Sequence, residues 1–164
     1  WGIDAVHGLV NAEQDLDWTH DPLLRLMAII PPAIERVSEL ADRLKISNRE
    51  RERLEKWATS SLPDSETDDR TYARKLYFGD VKGMTDRLRL ALASARSLAV
   101  NDNKEMMKAA GYSRLLDFAN KWEKPVFPVT GAALLPKARK SSSPMCGKTL
   151  DANLQPNSVR MRCS

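Results

Sequence analysis

Apolar residues recur three and four apart through most of this chain, and Pro, Asp and Gly punctuate the repeats. Ile3, Val6 and Val10 predict a short opening helix. Asp21-Pro22 predicts the start of a second, because the Asp side chain can cap free N–H groups and Pro is tolerated in the first turn. Leu23 to Ile30 is apolar on nearly every side, which predicts a central buried helix. Pro31-Pro32 ends it, since neither residue can donate to the helix ladder. Ile34, Val37, Leu40, Ala41 and Leu44 then form one stripe.

Ser47 with Glu50 three residues on matches a capping box, followed by Leu54, Trp57 and Ala58 as the buried face of a fourth helix. Leu62-Pro63-Asp64-Ser65 breaks the repeat, and residues 63–69 read as an acidic loop. Tyr72, Ala73, Leu76 and Tyr77 predict a fifth helix ending at Gly79. Asp80 can cap a sixth, with Val81, Met84, Leu88, Ala91, Leu92, Ala95 and Leu98 as its stripe. Asn101-Asp102 with Glu105 opens a seventh that runs to about Trp122. No alternating run suggests a sheet. The expected fold is all-α, an irregular bundle of about seven helices with an extended basic C-terminal tail. Leu24, Met27, Leu40, Leu54, Trp57, Leu88, Leu92 and Leu115 are the expected core.

The pattern changes at Pro125. A Pro at each end of Pro125-Val126-Phe127-Pro128 predicts extended backbone, and Thr130 to Leu135 predicts one capped turn. Residues 136–164 are poor in hydrophobics and rich in Ser, Pro, Lys and Arg. The chain therefore reads as a helical body over 1–124 and a partly irregular tail over 125–164. It opens at Trp1 rather than Met, with no signal-like segment, and so reads as a piece of a longer polypeptide.

Composition narrows the class. At 42% hydrophobic, the 164 residues can build a core. A longest apolar run of Leu26 to Ile30 is far too short to span a bilayer, so no membrane is expected. Cys146 and Cys163 imply no disulfide framework, which suits a reducing cytoplasm. The net charge of +4 is unevenly divided. Residues 1–69 hold 8 Lys and Arg against 15 Asp and Glu, a net of -7, while residues 70–164 hold 18 against 7, a net of +11. A basic half of this kind suits a polyanion, most simply nucleic acid.

Candidate chemistry is sparse. His20-Asp21 invites comparison with metal-dependent phosphohydrolases, but His7 is the only other histidine and Asp21 already has a capping role. No metal site is expected. Gly147-Lys148-Thr149 resembles the end of a phosphate loop, yet Ser142 stands where that loop needs Gly. Cys146 has no nearby His to activate it. Phosphoryl transfer to nucleic acid needs carboxylates spaced along a strand to hold Mg2+, and none are presented so. No catalytic residue is expected. The basic residues remain: Arg70, Arg74, Lys75, Arg87, Arg89, Arg114, Lys121, Lys124, Lys137, Arg139 and Lys140 are the candidate RNA contacts. Tyr72 and Tyr77 can stack on an unpaired base, although core packing is the favoured role for both.

Several of these residues carry a resemblance. Asp21-Pro22-Leu23-Leu24-Arg25-Leu26 and Arg43-Leu44-Lys45-Ile46-Ser47-Asn48-Arg49-Glu50-Arg51-Glu52-Arg53-Leu54 resemble the body of alphaproteobacterial CCA-adding tRNA nucleotidyltransferases, a family that includes poly(A) polymerases. Phe127-Pro128-Val129-Thr130-Gly131-Ala132-Ala133-Leu134-Leu135 is similar to the family's tail motif, with Ala133 in place of its usual acidic residue. The likeness spans about residues 3–135. It implies a larger enzyme whose head, absent from this chain, holds Mg2+ with CTP or ATP. Body and tail would grip tRNA or another RNA, so no cofactor is expected here. The alternative is a helical module that docks another protein, with self-association through the body as one form.

Overall fold

The computed structural model describes residues 2–100 and 102–125, and all regular structure among them is helical. The elements are α1 (Ile3–Asp15), α2 (Pro22–Ile29), α3 (Ile34–Leu44), α4 (Asn48–Thr59), α5 (Asp69–Phe78), α6 (Val81–Leu98) and α7 (Asn103–Lys121). Side-chain caps start most of them. Asp21 accepts from the Leu23 and Leu24 N–H groups at 3.1 and 3.3 Å. At α4 the box closes reciprocally: the Glu50 N–H donates to Ser47 Oγ at 3.3 Å, and the Ser47 N–H donates to Glu50 Oε2 at 3.0 Å. Asp68, Asp80 and Asp102 cap α5, α6 and α7. Each satisfies donors that a helix start leaves without partners. Among the described residues no helix is long and apolar enough to cross a membrane.

The centre of the bundle is α6, which packs against α1, α2, α4, α5 and most extensively α7. On one side Leu9, Ala12, Leu24, Met27, Val37, Leu54, Trp57 and Ala93 form a cluster. On the other, Leu88 and Leu92 join Tyr72, Leu76, Met84, Leu115, Leu116 and Ala119. Seven of the eight expected core residues are buried. Leu40 is only half-buried, because α3 packs chiefly on α4 at the edge of the bundle.

One expectation needs correcting, the central place of α2, and the structure adds detail at α1 and at the end of α5. α1 forms, but its buried face is Gly8, Leu9, Ala12 and Glu13, and Ile3 points to solvent. α2 is not central: it buries Leu24 and Met27 and leaves Ile29 exposed. Its two turns meet neighbours on one side only. Gly79 ends α5 in an extended conformation rather than the left-handed one that favours glycine. The reason for Gly79 is room, since a Cβ there would lie 2.9 Å from the Lys75 carbonyl oxygen. Gly83 serves the same purpose where α6 crosses α4, for a Cβ would lie 2.6 Å from the Lys56 carbonyl oxygen.

Charged side chains tie the helices across the core. The Arg53 guanidinium on α4 donates to the Asp86 carboxylate on α6 at 2.7 and 3.0 Å, and to Asp21 at 2.5 Å. Asp86 is 0% exposed. Arg87 donates to the Trp57 and Ala58 carbonyls at 3.0 and 3.1 Å, closing the C-terminus of α4 from a neighbouring helix. Glu13 is also buried, held by Arg25 on α2 at 2.5 and 3.2 Å. Burial pushes the Glu13 carboxyl upward, but its bonds from Arg25 and His20 hold it below the ordinary carboxylate value.

Removing one partner from such a pair strands the other. Arg53→Met is expected to destabilise the chain by about 3–5 kcal/mol, because Asp86 keeps only Lys82 nearby. Urea unfolding followed by circular dichroism measures it. A loss below about 1 kcal/mol is what an exposed pair gives, and would mean that Asp86 finds another partner.

Candidate nucleic-acid interface

The acidic loop before α5 and the buried residues of α5 fix which side of that helix meets solvent. Tyr72 and Leu76, four apart, turn inward. Arg70, Arg74, Tyr77 and Phe78 follow at helical spacing on the opposite side, and all four are exposed. Four contacts hold α5 and the loop before it beside α7 and the residues after it. Arg114 Nη1 meets Asp69 Oδ1 at 2.8 Å, and its other amine donates to the Thr67 carbonyl at 2.6 Å. The Tyr72 and Phe118 rings pack with centroids 5.9 Å apart. Lys124 Nζ sits 5.1 Å from the centre of the Tyr77 ring. The pairs climb together in number, so α5 and α7 run in the same direction. Their C-terminal ends therefore come together.

At that shared end Tyr77 and Phe78 stand edge to face, with ring centres 5.1 Å apart and planes at 83°. Tyr77 is 37% exposed and Phe78 78% exposed. Sequence reasoning passed over Phe78, although it lies four residues from Arg74 and eight from Arg70. Tyr72 and Tyr77, considered together from sequence, take different roles. Tyr72 is in the core and Tyr77 is at the surface.

The basic candidates separate in the same way. Arg70, Arg74, Lys121 and Lys124 are exposed on α5 and around the end of α7, and Lys75 is half-buried. Among the described residues no ion pair engages Arg70, Arg74, Lys75 or Lys121. Lys75 and Lys121 lie in the last turns of their helices, where a cation also answers the helix dipole. Arg114 is exposed but pinned to Asp69 and Thr67. Arg87 and Arg89 are engaged inside the bundle. Arg87 stacks 5.4 Å over Trp57 while capping α4, and Arg89 lies 5.5 Å from the Trp18 ring. Lys137, Arg139 and Lys140 lie outside the described residues, as do residues 126–128, the turn over 130–135, Gly147-Lys148-Thr149 and both cysteines.

A groove of about 990 Å³ near the start of α2 also gathers cations, and three of the four, Arg53, Lys56 and Lys82, are already paired. Arg53 serves Asp86 and Asp21, Lys56 serves Glu52 and Asp80, and Lys82 serves Asp86. Among the described residues Arg49 is the one cation of the groove without an ion pair, and Glu50 and Glu52 line the same groove. His20 Nδ1 lies 3.2 Å from buried Glu13, and Asp21 caps α2, so both act within the fold. Among the described residues no group of three or more His, Cys, Asp and Glu could hold a metal ion. The chain matches no family model, no curated protein and no solved structure.

Alkali tests the burial of Tyr72. Burial pushes the Tyr72 hydroxyl up to about 12. A raised folded-state value means that the contribution of Tyr72 is fully present below about pH 10, the unfolded value, and is lost as pH rises toward 12. Tyr72→Phe should therefore lose less stability than the parent between about pH 10 and 12. Thermal unfolding at stepped pH tests this, and identical profiles would show that Tyr72 ionises without unfolding.

Proposed function

We propose that this chain binds RNA through the outer face of α5 and the end of α7, as the body of a CCA-adding tRNA nucleotidyltransferase or poly(A) polymerase. The supporting observation is the set of exposed cations, Arg70, Arg74 and Lys121, that no ion pair engages among the described residues. Arg and Lys hold phosphates without reading sequence, so the surface suits grip rather than base recognition. The resemblance in residues 21–26 and 43–54 supports this choice of parent enzyme. In that reading chemistry belongs to a head outside this chain, with Mg2+ and CTP or ATP, and the setting is cytoplasmic.

A second reading, a helical protein-docking module, has its own observation. Leu98, Val100, Met106 and Met107 are exposed where α6 turns into α7. An apolar association of that kind, with another protein or with a second copy, is insensitive to salt, whereas phosphate binding releases counterions and weakens steeply.

Titration of fluorescent tRNA at several salt concentrations decides between them. Reversing Arg70, Arg74 and Lys121 to Glu should weaken binding more than tenfold and reduce the salt slope by roughly 2–3, about one for each phosphate left without its cation. Reversing Arg36, Arg43 and Arg49, equally exposed on α3 and α4, should do much less. Helicity is checked in both. Equal weakening by the two sets would remove α5 as the binding face and favour protein docking.

A further inference from the structure

An exposed Phe78 is the least expected side chain on this surface. Phe and Tyr carry the largest apolar gain on burial, and Tyr72, six residues earlier on the same helix, is fully buried. Phe78 instead projects from the last turn of α5 with most of its ring in water. Its neighbours suit an anion. Arg74 lies one turn back on the same face, and Lys124 covers one region of the adjoining Tyr77 ring. A ring bordered by cations is poorly matched to an apolar protein surface, where charged residues are depleted. It is well matched to a nucleotide, which joins a flat π-face to a phosphate.

We propose that Tyr77 and Phe78 form a stacking platform for one unpaired RNA base, with Arg70, Arg74, Lys121 and Lys124 holding the phosphates on either side. The proposal rests on the RNA-binding reading and narrows it to RNA that offers an unstacked base. A base inside a duplex has both faces covered by its neighbours, so a duplex cannot use the platform. The edge-to-face arrangement fixes Phe78 against Tyr77, and the Lys124 contact fixes Tyr77, so little freedom is given up when a base arrives. Stacking needs only a π-face, so the platform accepts any of the four bases and recognises single-strandedness rather than sequence.

The test uses the full chain and two probes, a single-stranded RNA carrying one 2-aminopurine and a blunt RNA duplex of the same length. Binding of the parent chain should change the 2-aminopurine emission. Phe78→Ala should weaken the single strand about tenfold and leave the duplex nearly unaffected. Phe78→Trp should keep both the affinity and the emission change. Because Phe78 is so exposed, neither variant threatens the fold. A Phe78→Ala variant that binds the single strand as well as the parent, or weakens equally on the duplex, overturns the platform. If the triple Arg70, Arg74 and Lys121 reversal still weakens both probes, RNA binding survives that failure. If the reversal weakens neither, both readings fall. Loss of a salt-insensitive self-association in Phe78→Ala, with RNA affinity intact, would assign the ring to a protein interface and overturn the proposal.

Discussion

A carboxylate sealed inside a bundle sets a condition that the helices around it must meet. Asp86 can be buried only where a cation reaches it, and Arg53 does so with Nε and one terminal amine, which also holds the cap residue of α2. Burying an ion pair gains little over an apolar substitute, so its contribution is geometric. A slip of α4 along α6 by one residue would leave a charge unpaired, whereas a slip among leucines would cost far less. The same device recurs at Glu13, which Arg25 holds across α1 and α2, and at the end of α4, where Arg87 accounts for two carbonyls. Three guanidinium groups thus set the relative positions of α1, α2, α4 and α6.

Helix boundaries were readable because they depend on neighbouring residues. Asp21, Ser47 with Glu50, and Asp80 each cap within their own first turn, and Pro31-Pro32 acts on its own ladder. Depth in the bundle was less readable, because it depends on which helix ends up surrounded. Leu23 to Ile30 is the most apolar stretch, yet α6, with Arg87, Arg89 and Asp86 in its sequence, is the central element. In α1 the small residues Gly8 and Ala12 let helices approach, so they outweigh Ile3 as packing positions.

The candidate surface was readable only in part. The -7 and +11 halves point to the second half, but charge cannot distinguish Arg70 from Arg87. Both lie off the apolar stripe of their helix. On α5, which has neighbours on one side, that position faces water; on α6 it meets α4. Phe78 escaped notice because periodicity treats an aromatic residue as core by default. Only the ending of α5 at Gly79 and its placement beside α7 turn that side chain outward.

The place of α6 in the chain order has a consequence for synthesis on the ribosome. Every element from α1 to α5 precedes it, and α1, α2, α4 and α5 pack against it. At about 5–20 residues per second, α1 emerges several seconds before the helix that covers it. During that interval Leu9, Leu24, Leu54 and Trp57 lack part of their packing, and Arg53 has not yet met Asp86. The nascent chain therefore passes through a stage with an open apolar face, closed in one late step when Val81 to Leu98 leaves the exit tunnel.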